Sequence, residues 1–311
     1  MSGNMKTLVT FPVEDRYKRI GNEILGEENV IWHPQSGKAE IFLIKNEDFP
    51  RSQNPRFIQI LTAGTDHIDL RKVPKDAIIA SNAGGYSISV AEHCFALLLE
   101  HTKKIGKFKD ETRQGIYRPE GTTMLYGRTL GIIGYGGIGS RVAMIGKSMG
   151  MKIIAIGRGH RDSNADLFIS LDDLETLLRE ADFIVISLPL TKKTYGLIGK
   201  EQLDVVKKNC TIVNVSRAEV VRKGDMISFV DRNKEAAYLT DVWWNEPELK
   251  DSNRENVVIT PHIAGGLSGE VMEMAYRNAF ENIKRFIEGE KVHNIVNLEE
   301  SIYVNREKIG V

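Results

Sequence analysis

Residues 129–149 restrict most tightly what this chain can fold into. Thr129–Ile133 is an apolar run, Gly134-Tyr135-Gly136-Gly137-Ile138-Gly139 follows at once, and Ile138, Val142, Ile145 and Met149 then recur at helical spacing. A strand, a glycine turn and a helix in that order make a dinucleotide-binding unit. Gly134 suits the tight turn, Gly136 lets the backbone approach a pyrophosphate, and Gly139 lets helix and strand pack closely. Gly137 and Ile138 open the helix, whose free N–H groups face the phosphates. A lone glycine motif is a weak signal, so its surroundings carry the weight.

Those surroundings alternate regularly. Strands are expected at Thr129–Ile133, Met151–Ile156, Asp166–Ile169, Phe183–Ser187, Thr211–Val215, Ala237–Asp241 and Val257–Thr260, and helices at Gly137–Met149, Leu171–Glu180, Lys200–Lys208 and Lys223–Arg232. Most of the strands are continuously apolar, as strands covered on both faces should be. The expected fold class is α/β, with an open, doubly wound parallel sheet. Before it, Lys6–Phe11, Ala39–Ile44 and Arg56–Leu61 read as strands, and Ser89 to about Lys107 as a long amphipathic helix. Lys109–Tyr126 is polar and aperiodic, like a domain connection. A last helix spans Gly269–Glu288, and the tail after it is too short to fold alone.

Composition narrows the class further. At 311 residues, two domains are the default. Lys+Arg and Asp+Glu both number 42, a balance that argues against a nucleic-acid partner. Cys94 and Cys210 make no disulfide framework and no four-ligand zinc site, and no metal is expected. No apolar run reaches the roughly 18 residues of a membrane span, and the first residues lack a signal-peptide layout. A cytoplasmic protein is expected.

The acid that usually follows a dinucleotide motif by about 20 residues, and would bond both ribose hydroxyls, is absent. The second strand ends at Ile156, and Gly157-Arg158-Gly159-His160-Arg161 follows. Gly157 with Arg158 and Arg161 favours a 2′-phosphate, so NADP(H) is the expected cofactor, with NAD(H) also usable.

Three further segments fall where strands of this sheet would end: Asn214-Val215-Ser216-Arg217-Ala218, Asp241-Val242-Trp243-Trp244-Asn245-Glu246-Pro247 and Thr260-Pro261-His262-Ile263-Ala264-Gly265. With the glycine loop, and with Ala63-Gly64-Thr65-Asp66-His67-Ile68-Asp69, Ser89-Val90-Ala91-Glu92-His93 and Leu188-Pro189-Leu190-Thr191, this set resembles the D-isomer-specific 2-hydroxyacid dehydrogenase family, in the manner of glyoxylate and hydroxypyruvate reductases. The order and spacing of the segments match as well, from about Ile60 to Asn297.

The resemblance implies that Arg217 holds the substrate carboxylate and carbonyl, for which its planar fork is suited. It implies that His262 is the acid–base, with Glu246 orienting its ring. The amides of Ala63 and Gly64 would complete carboxylate binding. Further cofactor contacts are implied at Pro189, Thr194, Val215, Asp241, His262 and Gly265, with Asp241 accepting from the nicotinamide carboxamide. The activity implied is hydride transfer between a nicotinamide cofactor and a small 2-ketoacid or D-2-hydroxyacid. No further basic cluster accompanies the carboxylate loop, which points away from a phosphorylated substrate. The alternatives are a dinucleotide-sensing co-repressor and a phosphoglycerate- or phosphite-type dehydrogenase on the same fold. Intact Arg217, Glu246 and His262 weigh against the sensor. Formate enzymes of the superfamily carry glutamine where this chain has Glu246.

The architecture implied is a Rossmann sheet at 96–284 inserted into a smaller flavodoxin-like substrate domain made of 1–95 and 285–311. Hinge helices would lie at the edges, and the assembly would be a homodimer with Lys109–Tyr126 at the interface. This chain departs from the family pattern at Ala218, usually glycine, at Ser187, commonly histidine, and at the bulky Trp243-Trp244, which suits either core packing or the lining of the substrate cavity.

Overall fold

Short, continuously apolar strands separated by helices can bury both faces only in parallel sheets, and this chain builds two. The computed structural model describes residues 5–304 apart from 48, 49, 51, 75, 158–161 and 267. Within them, one compact unit joins the chain up to Ser87 to the chain from Gly266 onward, and the other spans Ile88–Gly265.

The first unit contains β1 (Thr7–Val9), α1 (Asp15–Leu25), β2 (Val30–Trp32), β3 (Ile41–Ile44), β4 (Phe57–Ile60) and β5 (Ile78–Ala80). All pairings are parallel and the order is β2-β1-β3-β4-β5, the flavodoxin-like winding. Strands β2 and β5, which the sequence reading did not anticipate, are the short and only partly buried edges of this sheet.

A long helix, α2 (Ser87–Lys103), follows. It stops at Lys104, whose φ of 55° is left-handed, and α3 (Ile105–Arg113) resumes beyond it. The expected single helix is therefore two, and the second runs into the segment read as a connection. Ion pairs of Lys104 and Lys107 with Glu120 fold the rest of that segment back onto α3.

The second unit then winds through β6 (Thr129–Ile133), α4 (Gly137–Ser148), β7 (Lys152–Ile156), β8 (Leu167–Ile169), α5 (Leu174–Glu180), β9 (Phe183–Ile186), α6 (Lys200–Asp204), β10 (Thr211–Asn214), α7 (Lys223–Arg232), β11 (Ala237–Thr240) and β12 (Val257–Ile259). The order is β12-β11-β10-β9-β6-β7-β8, again all parallel, with the reversal of winding between β6 and β9. Strands β9, β10 and β11 are buried throughout, while β8 and β12 at the margins are only partly covered. Both free cysteines are buried, Cys94 in α2 and Cys210 just before β10.

Helix α8 (Gly269–Glu288) returns to the first unit. Its Tyr276, Ala279, Phe280 and Ile283 join Val9, Ile41, Leu43 and Phe57 in one core, and Tyr276 stacks on Tyr17 of α1 with centroids 4.6 Å apart. Asn282 of α8 donates to Gln59 of β4 at 2.7 Å and accepts from the His293 amide at 2.8 Å, satisfying polar groups that burial would otherwise penalise. Val296 donates to Ile79 O at 2.8 Å, which lays the tail along β5. These contacts put the unit boundaries at 87 and 266, not at the expected 95 and 285, because the whole of α8 packs on α1 and β4. Among the described residues, no helix is long and apolar enough to cross a membrane.

One carboxylate ties neighbouring strands at the foot of the larger sheet. Asp182, just before β9, accepts from the Thr129 amide at 2.9 Å and from Lys207 Nζ at 2.9 Å. Burial raises its pKa, but the amide and the ammonium outweigh it and hold the group below its ordinary value. A depressed folded-state pKa gives stability that is complete above the ordinary carboxylate range and lost as the pH falls through the depressed value. Asp182→Ala should cost about 1.5–3 kcal/mol in urea unfolding at neutral pH. That deficit should shrink in acid, where the parent carboxyl is protonated too. Equal midpoints for parent and variant at neutral pH would show that this tie is idle.

Candidate active site

Because every strand of the larger sheet points the same way, the loops after β6, β7, β9, β10, β11 and β12 all leave one edge. The glycine loop follows β6. Gly134 has φ +110°, and a Cβ there would lie 2.8 Å from the Ser187 carbonyl carbon, so both conformation and contact demand glycine. A Cβ on Gly139 would stand 2.1 Å from Gly134 O, which is why helix and strand can meet only through glycine here. Ser187, the departure from the family pattern, donates its hydroxyl to Gly134 O at 2.8 Å and props the loop from below.

Gly136 is the N-cap of α4, and a Cβ on it would have no atom within 4 Å. Its outer face is open, and the first amides of α4, at Gly137, Ile138 and Gly139, have no acceptor within the helix. The first turn of α4 carries no acidic residue. An open cradle of unpaired amides at a helix start fits a dinucleotide pyrophosphate.

After β7 comes Gly157, where a Cβ would lie 2.6 Å from the Tyr135 Cβ. Tyr135 therefore fills the space that an acidic side chain at 157 would need. Its hydroxyl donates to Asp162 Oδ1 at 2.5 Å, and the Asn164 amide donates to the same oxygen at 2.9 Å. Burial, and then the bonded carboxylate, push the Tyr135 phenol up. Arg158 and Arg161 lie outside the described residues.

The loop after β9 holds Pro189, which is exposed, and Thr194, which is buried. Thr194 Oγ1 donates to Pro189 O at 2.6 Å and accepts from the Thr191 amide at 2.8 Å, so this hydroxyl shapes its own loop. After β10, Asn214 does comparable work. Its side chain accepts from the Ser216 amide and hydroxyl at 3.0 and 2.8 Å, and donates to Arg217 O at 3.0 Å and Tyr238 Oη at 3.1 Å. Val215 is buried, and Arg217 is half-buried with Nη1 donating to Ser216 O at 2.9 Å.

The loops after β11 and β12 meet. His262 Nδ1 lies 2.9 Å from Glu246 Oε2, and the other oxygen of Glu246 accepts from the Trp243 amide at 2.7 Å. A carboxylate only accepts, so Nδ1 carries the hydrogen and Nε2 is the nitrogen left for chemistry. The Glu246 side chain is 10% exposed and that of His262 31%, so the base of the pair is dry and its tip is reachable. Trp243 and Trp244 are buried, and their indole N–H groups bond Lys250 O at 3.1 Å and Val221 O at 2.9 Å. Core packing is their role, and it fixes the Glu246 loop and the end of the Arg217 loop.

His262 has φ 56°, a left-handed conformation that costs a residue with a side chain on the order of 1–3 kcal/mol. Asp241, 2% exposed, holds the chain there. Its carboxylate accepts from the Thr260 hydroxyl at 2.6 Å and from the amides of Ile263 and Ala264 at 2.9 and 2.7 Å. The residue expected to accept from a carboxamide thus takes three donors of its own chain. Sequence reasoning set Asn214 and Thr260 in their segments and Ser187 as a departure from the family pattern, but gave none of the three a structural task, because their partners lie on other loops.

Ala63 and Gly64 belong to the first unit, on the loop after β4. Thr62 Oγ1 bonds Gly64 O at 2.8 Å and shapes that loop. Gly265, half-buried, closes the segment after β12.

Arginine, glutamate and histidine on the edge of a parallel sheet that also carries a dinucleotide cradle define a nicotinamide-dependent dehydrogenase. Comparison with known proteins agrees. Residues 95–264 match the family profile described as D-isomer specific 2-hydroxyacid dehydrogenase, NAD binding domain. A glyoxylate reductase of Korarchaeum cryptofilum is 33% identical over 82% of this chain and 80% of its own. A D-3-phosphoglycerate dehydrogenase of Archaeoglobus fulgidus is 30% identical over 94% of this chain and 59% of its own. The crystal structure of a glycerate dehydrogenase related protein from Thermoplasma acidophilum superposes with a TM-score of 0.72 at 44% identity, covering 91% of this chain and 99% of that one. The chain belongs to the D-isomer specific 2-hydroxyacid dehydrogenase family. It is an oxidoreductase that acts on the CH–OH group of 2-hydroxyacids with a nicotinamide cofactor.

Proposed function

We propose that the protein reduces a small 2-ketoacid, glyoxylate or hydroxypyruvate, to the D-2-hydroxyacid, with NADP(H) preferred. The observation that carries this reading is the His262–Glu246 pair, with Nδ1 committed to the carboxylate and Nε2 available. A bound nicotinamide supplies the hydride to the carbonyl carbon. His262 Nε2 gives the carbonyl oxygen its proton, and Glu246 steadies the charged ring when the proton is taken back in the reverse direction. Arg217 grips the carboxylate through two N–H groups and draws density from the carbonyl oxygen. Gly134 through Gly139 hold the pyrophosphate.

His262→Ala should lower turnover of glyoxylate or hydroxypyruvate by about 10²–10⁴-fold. A variant that keeps most of its rate would place the acid elsewhere. Absence of turnover in the parent with glyoxylate, hydroxypyruvate and pyruvate, each tried with both reduced cofactors, would overturn the small-ketoacid assignment.

The NADP(H) preference rests on the second strand's end. Tyr135 occupies the space beside Gly157, so the usual ribose-binding acid has no room, and Asp162 is drawn onto Tyr135 and the Asn164 amide. One charge-assisted bond from Arg158 to a 2′-phosphate is worth about 1.5–3 kcal/mol, or roughly 10- to 150-fold in kcat/KM. The test compares NADPH with NADH in the parent and in Arg158→Ile, leaving Gly157 untouched because any side chain there strikes Tyr135. Equal or better use of NADH by the parent would sink the preference.

A homodimer accompanies this reading. Past α3, Ile116, Tyr117, Met124 and Tyr126 are all exposed, Tyr117 by 93%. A second copy of the chain is the occupant that would cover them. Light scattering should report about twice the monomer mass. A monomer mass would remove the claim.

A further inference from the structure

The segment Ser89-Val90-Ala91-Glu92-His93 matches the family pattern, yet the reaction as written gives it no task. Ser89 and His93 stand four residues apart on α2 and so share a face, whereas Glu92 is exposed. Ser89 Oγ donates to Ala264 O at 2.8 Å, and His93 Nε2 lies 2.8 Å from Thr260 Oγ1. The two bonds land two residues after and two residues before His262.

The direction of the second bond follows from the first shell of Asp241. A threonine hydroxyl has one hydrogen, and that of Thr260 goes to Asp241 Oδ1, which can only accept. Its oxygen therefore accepts from His93, and His93 Nε2 carries a hydrogen. A directed series results, from His93 to Thr260 to Asp241, and the same carboxylate receives the amides of Ile263 and Ala264. His93 Nε2 is also 3.6 Å from Asp241 Oδ1. Besides the bond from His262 N to Thr260 O, the groups that hold His262 left-handed thus end on Asp241, and α2 bonds Thr260 and Ala264 on either side of it.

We propose that Ser89 and His93 clamp the His262 loop, and that His93 is a positioning residue for the acid–base, acting through Thr260 and Asp241. The proposal rests on His262 being that acid–base, and its test separates the two ideas. Thr260→Val keeps the shape and removes the hydroxyl. It should lower kcat by about tenfold or more, with the ketoacid KM within about threefold because Arg217 sits on another loop. In the protein without substrate or cofactor, hydrogen exchange at the Ile263 and Ala264 amides should quicken by roughly tenfold or more, while the amides of β10 keep their rates. Thr260→Ser should restore both readouts. His93→Leu should move them in the same direction as Thr260→Val, and His93→Gln, which keeps a donor, should lie between it and the parent. His262→Ala serves as the reference: it removes turnover and leaves the two amides protected.

Unchanged kcat and unchanged local exchange in Thr260→Val and His93→Leu, beside an inactive His262→Ala, would overturn the clamp and leave the acid–base in place. A uniform rise in exchange across the unit, with kcat per folded molecule intact, would also overturn it, since that is what a merely structural contact predicts. An active His262→Ala would instead remove the reading on which the clamp rests.

Discussion

Seven parallel strands leave a sheet at one edge, and the chemistry of this protein depends on that constraint. Residues as far apart in sequence as Gly134, Arg217, Glu246 and His262 come to neighbouring positions because β6, β9, β10, β11 and β12 are neighbours in the sheet. The strands behind them are dry: β9, β10 and β11 are buried from end to end. Loops fixed to rigid strand ends hold side chains more closely than loops fixed to one another. The reversal of winding between β6 and β9 opens the edge where the glycine cradle lies, as it does in doubly wound sheets generally.

Carboxylates then set the loops. An ionised carboxylate out of water must be met by donors, and here the donors are largely the backbone of the loops being organised. Asp241 takes two successive amides and a hydroxyl, and Glu246 divides its oxygens between the Trp243 amide and His262. Glu246 can point nowhere else without stranding the Trp243 amide. Trp243 is in turn fixed by its indole bond to Lys250 O and by edge-on packing against Trp244, centroids 4.9 Å apart. The His262–Glu246 pairing is therefore tied to the packing of Trp243 beneath it.

The larger sheet was legible from sequence because most of its strands are continuously apolar, and because glycines, arginine, glutamate and histidine fall just past strand ends. Helices α7 and α8 start and stop where their periodicity does. What stayed hidden depends on partners remote in sequence. Strands β2 and β5 are three residues long and owe their existence to the neighbours they pair with. The break at Lys104 leaves no mark in composition. The unit boundary at 266 follows from α8 meeting α1, which no local pattern announces. Gly157 reads in sequence as the absence of an acid, whereas in the fold it is the room required by Tyr135. The contribution of Asp241 to its own loop is likewise a property of strand order, since β11 and β12 must be adjacent before its carboxylate can reach residues 260–264.

His262 shows how these levels meet. The sequence Thr260-Pro261-His262 offers no glycine at the position that turns left-handed, although glycine would adopt it without strain. A glycine would also remove the imidazole. The chain keeps the side chain and offsets the unfavourable φ with hydrogen bonds on either side: His262 N to Thr260 O at 2.9 Å, Thr260 to Asp241, and the next two amides to the same carboxylate. The left-handed turn brings the ring to Glu246 by Nδ1 while its backbone stays pinned to β11. Strain concentrated at one residue, compensated by a buried carboxylate next door, is the pattern expected where a residue's conformation answers to something other than core packing.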